Sequence, residues 1–296
     1  MAVIGIDLGA TKVAAALLED DGTILHREQV YLDGREGLQA GKLVARLAYS
    51  LLERNDVEGI GVCVPGIVYS KRNTVWCPNI PGWEDFPLKE TIEKVCKDVP
   101  VHIESDRTCY ILGEKWKGVA KDCDNAIYIA VGSGIGAGIL LDGRIIHGAN
   151  DIVGATGWMA LESDYDKDWD ACGCFETYAS GNGIAYQASK LYGREISSPE
   201  VFSLYESNDS RAVKVIDKAV QMWGKGAANL VSLFDPEMIV FGGGVFSGPA
   251  KKLIPRIYEE ALKWGQPISM KNVKFLPSGI SSDAALLGAG YSILYK

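Results

Sequence analysis

Two similar stretches about 120 residues apart constrain the fold of this chain more than any other feature. Residues 5–25 read GIDLGATKVAAALLEDDGTIL, and residues 125–145 read NAIYIAVGSGIGAGILLDGRI. Each contains an apolar strand, a glycine-bearing turn with a hydroxyl residue, a second apolar strand and an Asp-Gly pair, which is a strong hairpin signal. The repeat therefore predicts a duplicated domain in which each half begins with a β-hairpin.

Composition and charge narrow the classes of protein to which the chain can belong. Of its 296 residues 47% are hydrophobic and 23% are charged, without long runs of one sign, which is typical of one large domain or two lobes. The net charge of −8 and the lack of a basic patch argue against a nucleic-acid partner. No apolar run reaches the roughly 18 residues of a membrane span, so we expect no membrane partner.

The seven cysteines are odd in number and scattered along the chain. Several lie within apolar patterns, where a free thiol behaves as a small hydrophobic group. The N-terminus enters an apolar strand at once and carries no signal-peptide pattern. Together these features predict free thiols and a reducing, cytoplasmic location.

Strands and helices alternate along the rest of the chain. The expected strands are 57–64, 99–104 and 237–241. The expected helices are 86–97, 108–120, 181–193, 211–233, 250–263 and 282–294. Recurrence of this order in both halves argues for an α/β fold.

The first hairpin turn combines the residue types that a phosphate site needs. Gly9 would let the backbone approach a phosphate closely, Thr11 adds a hydroxyl donor and Lys12 adds a positive charge. Asp7, at the end of the preceding strand, is able to hold a metal ion directly or through water. Taken alone, the segment is equally consistent with an ordinary hairpin whose glycine relieves strain.

Two further glycine-rich loops follow apolar strands. Residues 131–138 read VGSGIGAG, and no helix is expected after them, so they are neither a dinucleotide fingerprint nor a Walker loop. Residues 241–245 read FGGGV and lie beyond a buried strand, where ligands of α/β sheets bind. A flexible hairpin and a tight structural turn remain the alternatives for these two loops.

A carboxylate follows the strand expected at 99–104. Asp106 lies at the start of the next helix, where it could cap the helix N-terminus. The same position suits a general base, because phosphoryl transfer needs a carboxylate that orients the attacking hydroxyl and accepts its proton.

Together the motifs resemble the ROK family of sugar kinases and repressors, within the sugar kinase/Hsp70/actin superfamily. The resemblance covers nearly the whole chain and also includes DPEMIVFGGGV at 235–245 and ALLGAG at 285–290. It implies an α/β, two-lobed, actin-like ATPase (ribonuclease H-like) fold with duplicated βββαβα-type domains. The expected N-terminal lobe is 1–108 plus the C-terminal helix at about 282–296, and the expected C-terminal lobe is 109–281.

The resemblance also implies ATP and Mg²⁺, with a sugar between the lobes. Asp106 falls where the family has its catalytic base, and Asp7 is the expected carboxylate for Mg²⁺. The expected phosphate-binding residues are Gly9, Thr11, Lys12, Gly132, Ser133, Gly134 and Gly136, and those near adenosine are Gly242, Gly243 and Gly244. The expected substrate-binding residues are Gly66, Asn79, Ser105, Asp106, Thr156, Trp158 and Glu176.

The chain departs from the family's zinc motif. Where the family has a Glu and a zinc-binding His, this chain has Ala155 and Trp158, and of three thiolates only Cys172 and Cys174 remain. Structural zinc requires four ligands. We therefore predict no structural zinc, and we expect packing around Trp158 to hold this loop instead.

The same departures bear on the substrate. Ser105 stands where the family has Asn. Three expected sugar contacts therefore differ from the family at once, at Ser105, Ala155 and Trp158. Because unpaired polar groups disfavour the wrong ligand strongly, we expect a hexose other than glucose, an amino sugar or a cyclic polyol such as an inositol. The alternative is that Trp158 only fills the volume vacated by His and zinc, and that glucose still binds.

A sugar or polyol kinase that uses ATP and Mg²⁺ is the leading functional interpretation. The alternatives are a ligand-binding family member without useful turnover and a plain glucokinase. A repressor is disfavoured because ROK repressors carry a helix-turn-helix ahead of the first phosphate motif, which here begins near Met1. A homodimer is plausible, as for many enzymes.

Overall fold

The computed structural model describes residues 2–295, with only the backbone of Ser281 among them. Its strands are β1 (Ala2–Leu8), β2 (Lys12–Glu19), β3 (Ile24–Tyr31), β4 (Ile60–Val64), β5 (Ile67–Tyr69), β6 (Thr74–Trp76), β7 (Val101–Ser105), β8 (Ala126–Val131), β9 (Ile135–Leu141), β10 (Arg144–Ile145), β11 (Met238–Gly242) and β12 (Lys274–Pro277). Its α-helices are α1 (Gly37–Leu52), α2 (Leu88–Glu93), α3 (Asp106–Lys117), α4 (Cys174–Ala179), α5 (Gly181–Tyr192), α6 (Ser198–Glu206), α7 (Ser210–Phe234), α8 (Gly244–Ser247), α9 (Ile254–Ala261), α10 (Pro267–Asn272) and α11 (Ala284–Leu294).

The two main sheets have the same strand order, which confirms the duplication that the sequence predicts. One sheet runs β3-β2-β1-β4-β7 and the other runs β10-β9-β8-β11-β12. In both, the first strand pairs antiparallel with the second and parallel with the fourth. The opening hairpin thus lies beside parallel strands in each half, as in other α/β sheets that contain antiparallel edge strands.

The chain forms two compact units. The first unit runs to Lys121, includes His147–Ile152 and resumes at Ser282; the second comprises Asp122–Ile146 and Val153–Ser281. The first unit extends past the expected boundary at 108 because α3 continues through that position. It also takes in 147–152, which the prediction assigned to the other lobe.

The first unit buries both faces of its sheet. Helix α1 covers one face through an apolar stripe that includes Val44, Ala48 and Leu51, all at most 3% exposed. Helices α3 and α11 cover the other face, where α11 lies unusually close to the strands. Gly61 in β4 is the point of closest approach, because a Cβ there would clash with the carbonyl oxygen of Ala289.

The second unit is organised around α7, which the sequence predicts at nearly the same bounds. Trp223 of α7 is fully buried and donates from Nε1 to the carbonyl of Ala179 at 3.0 Å. Phe241 from β11 and Phe175 from α4 are also fully buried in the same core. None of the helices that the structure describes combines the length and apolar character that crossing a bilayer requires.

Several expected helices have different bounds, and the one expected at 86–97 is the shorter α2. Helix α3 begins at Asp106 rather than at 108, because Ser105 provides its cap. The helix expected at 250–263 is divided into a 3₁₀ turn, Pro249–Leu253, and α9. Pro255 accounts for the division, since proline is accommodated in the first turn of a helix but not in its interior.

Gly61→Ala should lower the free energy of unfolding by about 3 kcal/mol, because the added methyl group must push α11 away from β4. Gly248→Ala is the matched control, since its Cβ would meet its nearest atom at 3.6 Å, and it should change stability by less than about 0.5 kcal/mol. Urea unfolding of both variants measures the difference. Equal stabilities would contradict the close packing of α11 on the sheet.

Candidate active site

Two predicted carboxylates lie at the same edge of the first unit's sheet. Asp7 is near the carboxyl end of β1, and Asp106 directly follows β7. Strands β1, β4 and β7 are mutually parallel, with Asp7 opposite Cys63 and Cys63 opposite Glu104. Since two strand spacings are about 10 Å, this pairing brings the ends that carry Asp7 and Asp106 to one edge.

The carboxylate of Asp106 is suited to accepting a proton. Burial raises its pKa to about 6, Arg107 opposes this shift, and the negative charge of Asp7 adds to it. One carboxylate oxygen accepts the backbone N–H of Arg107 at 2.8 Å. A carboxylate whose pKa is this high both ionises at neutral pH and takes up a proton readily, as general bases do.

Asp7 fits the magnesium carboxylate that the resemblance implies. Burial raises its pKa, while a hydrogen bond from Cys63 and the charges of Lys12 and Arg27 lower it. The net shift is upward because burial outweighs these contacts. Carboxylate oxygens are the ligands that a hard cation such as Mg²⁺ prefers, so the donor atoms of Asp7 fit this ion.

The first hairpin turn is tight and its side chains point outward. The N–H of Gly9 donates to the carbonyl of Lys12 at 2.9 Å, which closes the turn. Lys12 extends to Gln29 at 3.3 Å, and Thr11 is exposed. Thr11 and Asn79 line one cavity of about 340 Å³, so the structure brings together a predicted phosphate residue and a predicted substrate residue.

The fold requires glycine at position 66, and the sequence does not reveal why. A Cβ at this position would clash with the carbonyl oxygen of Trp76 in β6. The glycine therefore permits the chain after β4 to cross close to the β5–β6 hairpin. Its predicted contact with substrate stays a prediction.

In the second unit, the second glycine loop surrounds Glu176. Glu176 Oε2 accepts the N–H of Ile135 at 2.6 Å, and burial raises the pKa of this carboxyl group. A Cβ at Gly134 would lie 2.7 Å from Glu176 Oε2, and one at Gly157 would lie 2.9 Å from it. The carboxylate thus joins the predicted phosphate loop to the segment that holds Thr156 and Trp158.

The predicted nucleotide glycines fall into two groups. At Gly134, Gly242 and Gly243 a Cβ would meet protein atoms, and Gly243 also has a φ of +84°, so these glycines are needed by the fold. At Gly132 and Gly244 a Cβ would meet nothing within 4 Å. Open space at these two glycines is what a cradle for a ligand requires.

The remaining residues of this loop take regular positions. Ser133 is exposed, and its carbonyl accepts the N–H of Asn182 at 3.4 Å. Gly136 pairs with Ala130 between β8 and β9, so it belongs to the sheet rather than to the turn. Its contact with phosphate stays a prediction.

Trp158 does not pack into the second unit. Its side chain is 59% exposed, so the expectation that packing around Trp158 holds its loop is wrong. Backbone contacts stabilise the loop instead, with the N–H of Met159 donating to the carbonyl of Thr156 at 2.9 Å. Thr156 is 6% exposed, and its hydroxyl has no hydrogen-bond partner within the part of the chain that the structure describes.

Ser105 has a structural role beside its predicted contact with substrate. Its Oγ accepts the N–H of Thr108 at 3.4 Å and lies 3.2 Å from the Thr108 hydroxyl. Ser105 is thus the N-cap of α3, and it leaves Asp106 free of that role. The cap alternative for Asp106 is thereby disfavoured.

The cysteines of the zinc motif region form no disulfide. All seven cysteines are free thiols, and Cys172 Sγ lies 3.4 Å from the hydroxyl of Thr177. Over residues 2–295, no group of three or more His, Cys, Asp or Glu side chains could hold a metal ion. The lack of structural zinc in the protein stays a prediction.

A buried carboxylate with two imidazole partners, two residues before Asp106, is not predicted from the sequence. Glu104 is 8% exposed and contacts His102 and His147. Burial raises the pKa of Glu104, but hydrogen bonds from both imidazoles outweigh this effect and hold the pKa at about 2. The spacing of His102 and Glu104 on one face of β7 was a visible signal, whereas His147 is remote in sequence.

Comparison with known proteins agrees with the fold. The ROK family model matches residues 3–295. Glucokinase of Halalkalibacterium halodurans is 30% identical over 98% of this chain and 94% of its own length. The ROK hexokinase structure from Thermus thermophilus has a TM-score of 0.88 at 29% identity and covers 99% of this chain and 97% of its own. A ROK glucokinase from Streptomyces griseus, in complex with glucose and AMPPNP, has a TM-score of 0.77 at 27% identity over 98% of both chains. These matches confirm the actin-like α/β fold.

Replacing Ser105 tests its role as the N-cap of α3. Ser105→Ala should lower the free energy of unfolding by about 1 kcal/mol, whereas Ser105→Asn should retain it, because Asn also caps helices. Chemical unfolding followed by circular dichroism measures both. If Ser105→Ala were as stable as the parent protein, the capping role would be refuted.

Proposed function

We propose that this chain, which belongs to the ROK family, transfers the γ-phosphate of ATP to a hydroxyl of a sugar or sugar-like polyol. Like that family's carbohydrate kinases, it is a phosphotransferase with an alcohol group as acceptor. The observation that carries the proposal is the pair of carboxylates at one sheet edge, Asp7 and Asp106, of which Asp106 has a pKa near 6.

Asp106 is the proposed general base. As the acceptor oxygen forms its bond to the γ-phosphorus, the bond from that phosphorus to the β–γ bridging oxygen breaks, and Asp106 takes the hydroxyl proton. Its pKa near 6 means that the carboxylate is ionised at neutral pH and able to accept this proton. Capping of α3 by Ser105 leaves the carboxylate available for the reaction.

Asp7 and the glycine loops are the proposed nucleotide-binding groups. Asp7 would hold Mg²⁺, directly or through water, and the ion would neutralise negative charge on the phosphate oxygens. The open space at Gly132 and Gly244 suits close approach of the phosphates and the adenosine, respectively. Gly9, Thr11, Lys12 and Ser133 would donate hydrogen bonds or positive charge to the phosphates.

Asp106→Asn should lower kcat by about 10²–10⁴-fold while the affinity for ATP stays within about twofold, because the amide keeps the shape but cannot accept the proton. Asp56→Asn is the matched control, since Asp56 is exposed and remote in sequence from the site, and it should retain full activity. ADP release and nucleotide titration measure the two quantities. Undiminished kcat in Asp106→Asn would remove this residue from the role of base.

The proposed acceptor is not plain glucose. Trp158 presents an exposed apolar ring, and Ala155 beside it cannot supply the hydrogen bond of a carboxylate. Glu176 of α4 places a carboxylate against Gly157 of this segment. This combination favours another hexose, an amino sugar or an inositol, whose apolar face or substituent would contact the indole.

Trp158→Ala should raise the KM for the best acceptor about tenfold, through loss of ring contact, with little change in the KM for ATP. Trp264→Ala is the matched control because Trp264 is 56% exposed in the same unit, and both KM values should stay constant.

The acceptor is first identified by ADP release with glucose, mannose, fructose, allose, N-acetylhexosamines and inositols. Fastest turnover on glucose would refute the acceptor assignment but retain the kinase, and binding without turnover across the panel would favour the non-catalytic alternative.

A further inference from the structure

A short segment of the first unit is held by polar contacts at both of its ends. At one end, His147 Nε2 lies 3.2 Å from each carboxylate oxygen of Glu104. At the other end, Asp151 Oδ2 accepts both the N–H and the hydroxyl of Ser70, each at 3.0 Å. We call residues 147–152 the clasped segment.

The contacts at the two ends of the clasped segment differ, since His147 contacts a buried carboxylate whereas the hydrogen bonds from Ser70 to Asp151 are exposed. Glu104 is 8% exposed, and a buried carboxylate stays ionised only when paired, which makes its partners energetically important. Asp151 has a φ of +57°, a left-handed conformation that is uncommon for a residue other than glycine. The hydrogen bonds from Ser70 hold the Asp151 carboxylate in this turn.

The clasped segment leads directly into the proposed acceptor segment. The chain passes from Asp151 through Ile152 and Val153 to Gly154, whose carbonyl accepts the N–H of Ala137 at 2.7 Å. Thr156–Trp158 follows as a single 3₁₀ turn. The acceptor segment thus has a hydrogen-bonded position just before it, and the clasp fixes the residues that precede that position.

We propose that His147 is a positioning residue for the acceptor: through Glu104 it fixes the chain that enters the acceptor segment, so that loss of the pair weakens acceptor binding without weakening nucleotide binding. This inference rests on the proposed function. It adds a residue outside the proposed acceptor and nucleotide groups, and it links acceptor affinity to the protonation of one imidazole.

The charges around His147 define the pH range in which the clasp holds. The hydrogen bond and charge of Glu104 raise the pKa of His147, burial opposes the shift, and Asp151 adds to it. His102 and Lys89 also line the cavity of about 440 Å³ beside it. Because the folded-state pKa of His147 is raised, the ion pair is complete below the ordinary histidine pKa and is lost as the pH rises through the raised value.

His147→Ala should raise the acceptor KM about tenfold and leave the KM for ATP within about twofold, because one charge-assisted hydrogen bond to a buried carboxylate is lost. His147→Gln keeps a donor and should recover part of this loss. In the parent protein the acceptor KM should rise with pH above the ordinary histidine pKa, and in His147→Gln it should not. His26→Ala is the matched control, since His26 forms an exposed pair with Glu28 at 3.0 Å, and it should change neither value.

Hydrogen exchange of the free protein tests the clasp independently of catalysis. His147→Ala should speed amide exchange across 147–152, and His26→Ala should not. Unchanged exchange in His147→Ala would overturn the inference whatever the kinetic assay shows, and faster exchange with an unchanged acceptor KM would overturn it as well. If the parent protein turned over no acceptor, the proposed kinase activity would fail, and acceptor binding measured by calorimetry would then replace KM in the same comparison.

Discussion

Parallel pairing of β1, β4 and β7 is the constraint on which the first unit depends. Residues 60–63 of β4 pair with β1 on one side and with β7 on the other, which places the strand ends that carry Asp7 and Asp106 at the carboxyl edge. Helix α11 lies close to these strands, which Gly61 permits. The chemistry at the edge and the packing beneath it are therefore two results of one backbone arrangement.

The second unit repeats the sheet but uses its glycines differently. In the first unit one crowded glycine, Gly61, lies in the middle of a strand and faces a helix, and another, Gly66, follows that strand. In the second unit, crowded and open glycines alternate within the loops at the strand ends, as at Gly134 and Gly132. The two units therefore have the same sheet topology. Crowding distinguishes the glycines that the fold requires from those with open space where a ligand could approach.

Local sequence patterns predicted the hairpins, most strands and the long helix α7, because these depend on residues near one another in the chain, but they did not predict α1. The start of α3 at Asp106 depends on a cap by Ser105 that competes with Asp106 itself, and composition could not decide between the two. The pair formed by Glu104 and His147 joins residues that are distant in sequence, so no periodicity reveals it. Exposure of Trp158 likewise depends on tertiary packing, which the sequence pattern does not encode.

The return of α11 to the first sheet also sets the order in which the molecule can be completed during synthesis. Most of the second unit is encoded between Asp122 and Ser281, ahead of α11. Domains usually fold as units and from the N-terminus onward. Here the sheet synthesised first is completed by the helix synthesised last, so the part of its apolar face that α11 covers, around Gly61, stays exposed until α11 emerges from the ribosome. The N-terminal half of the chain is consequently the part that most needs protection from aggregation while translation continues.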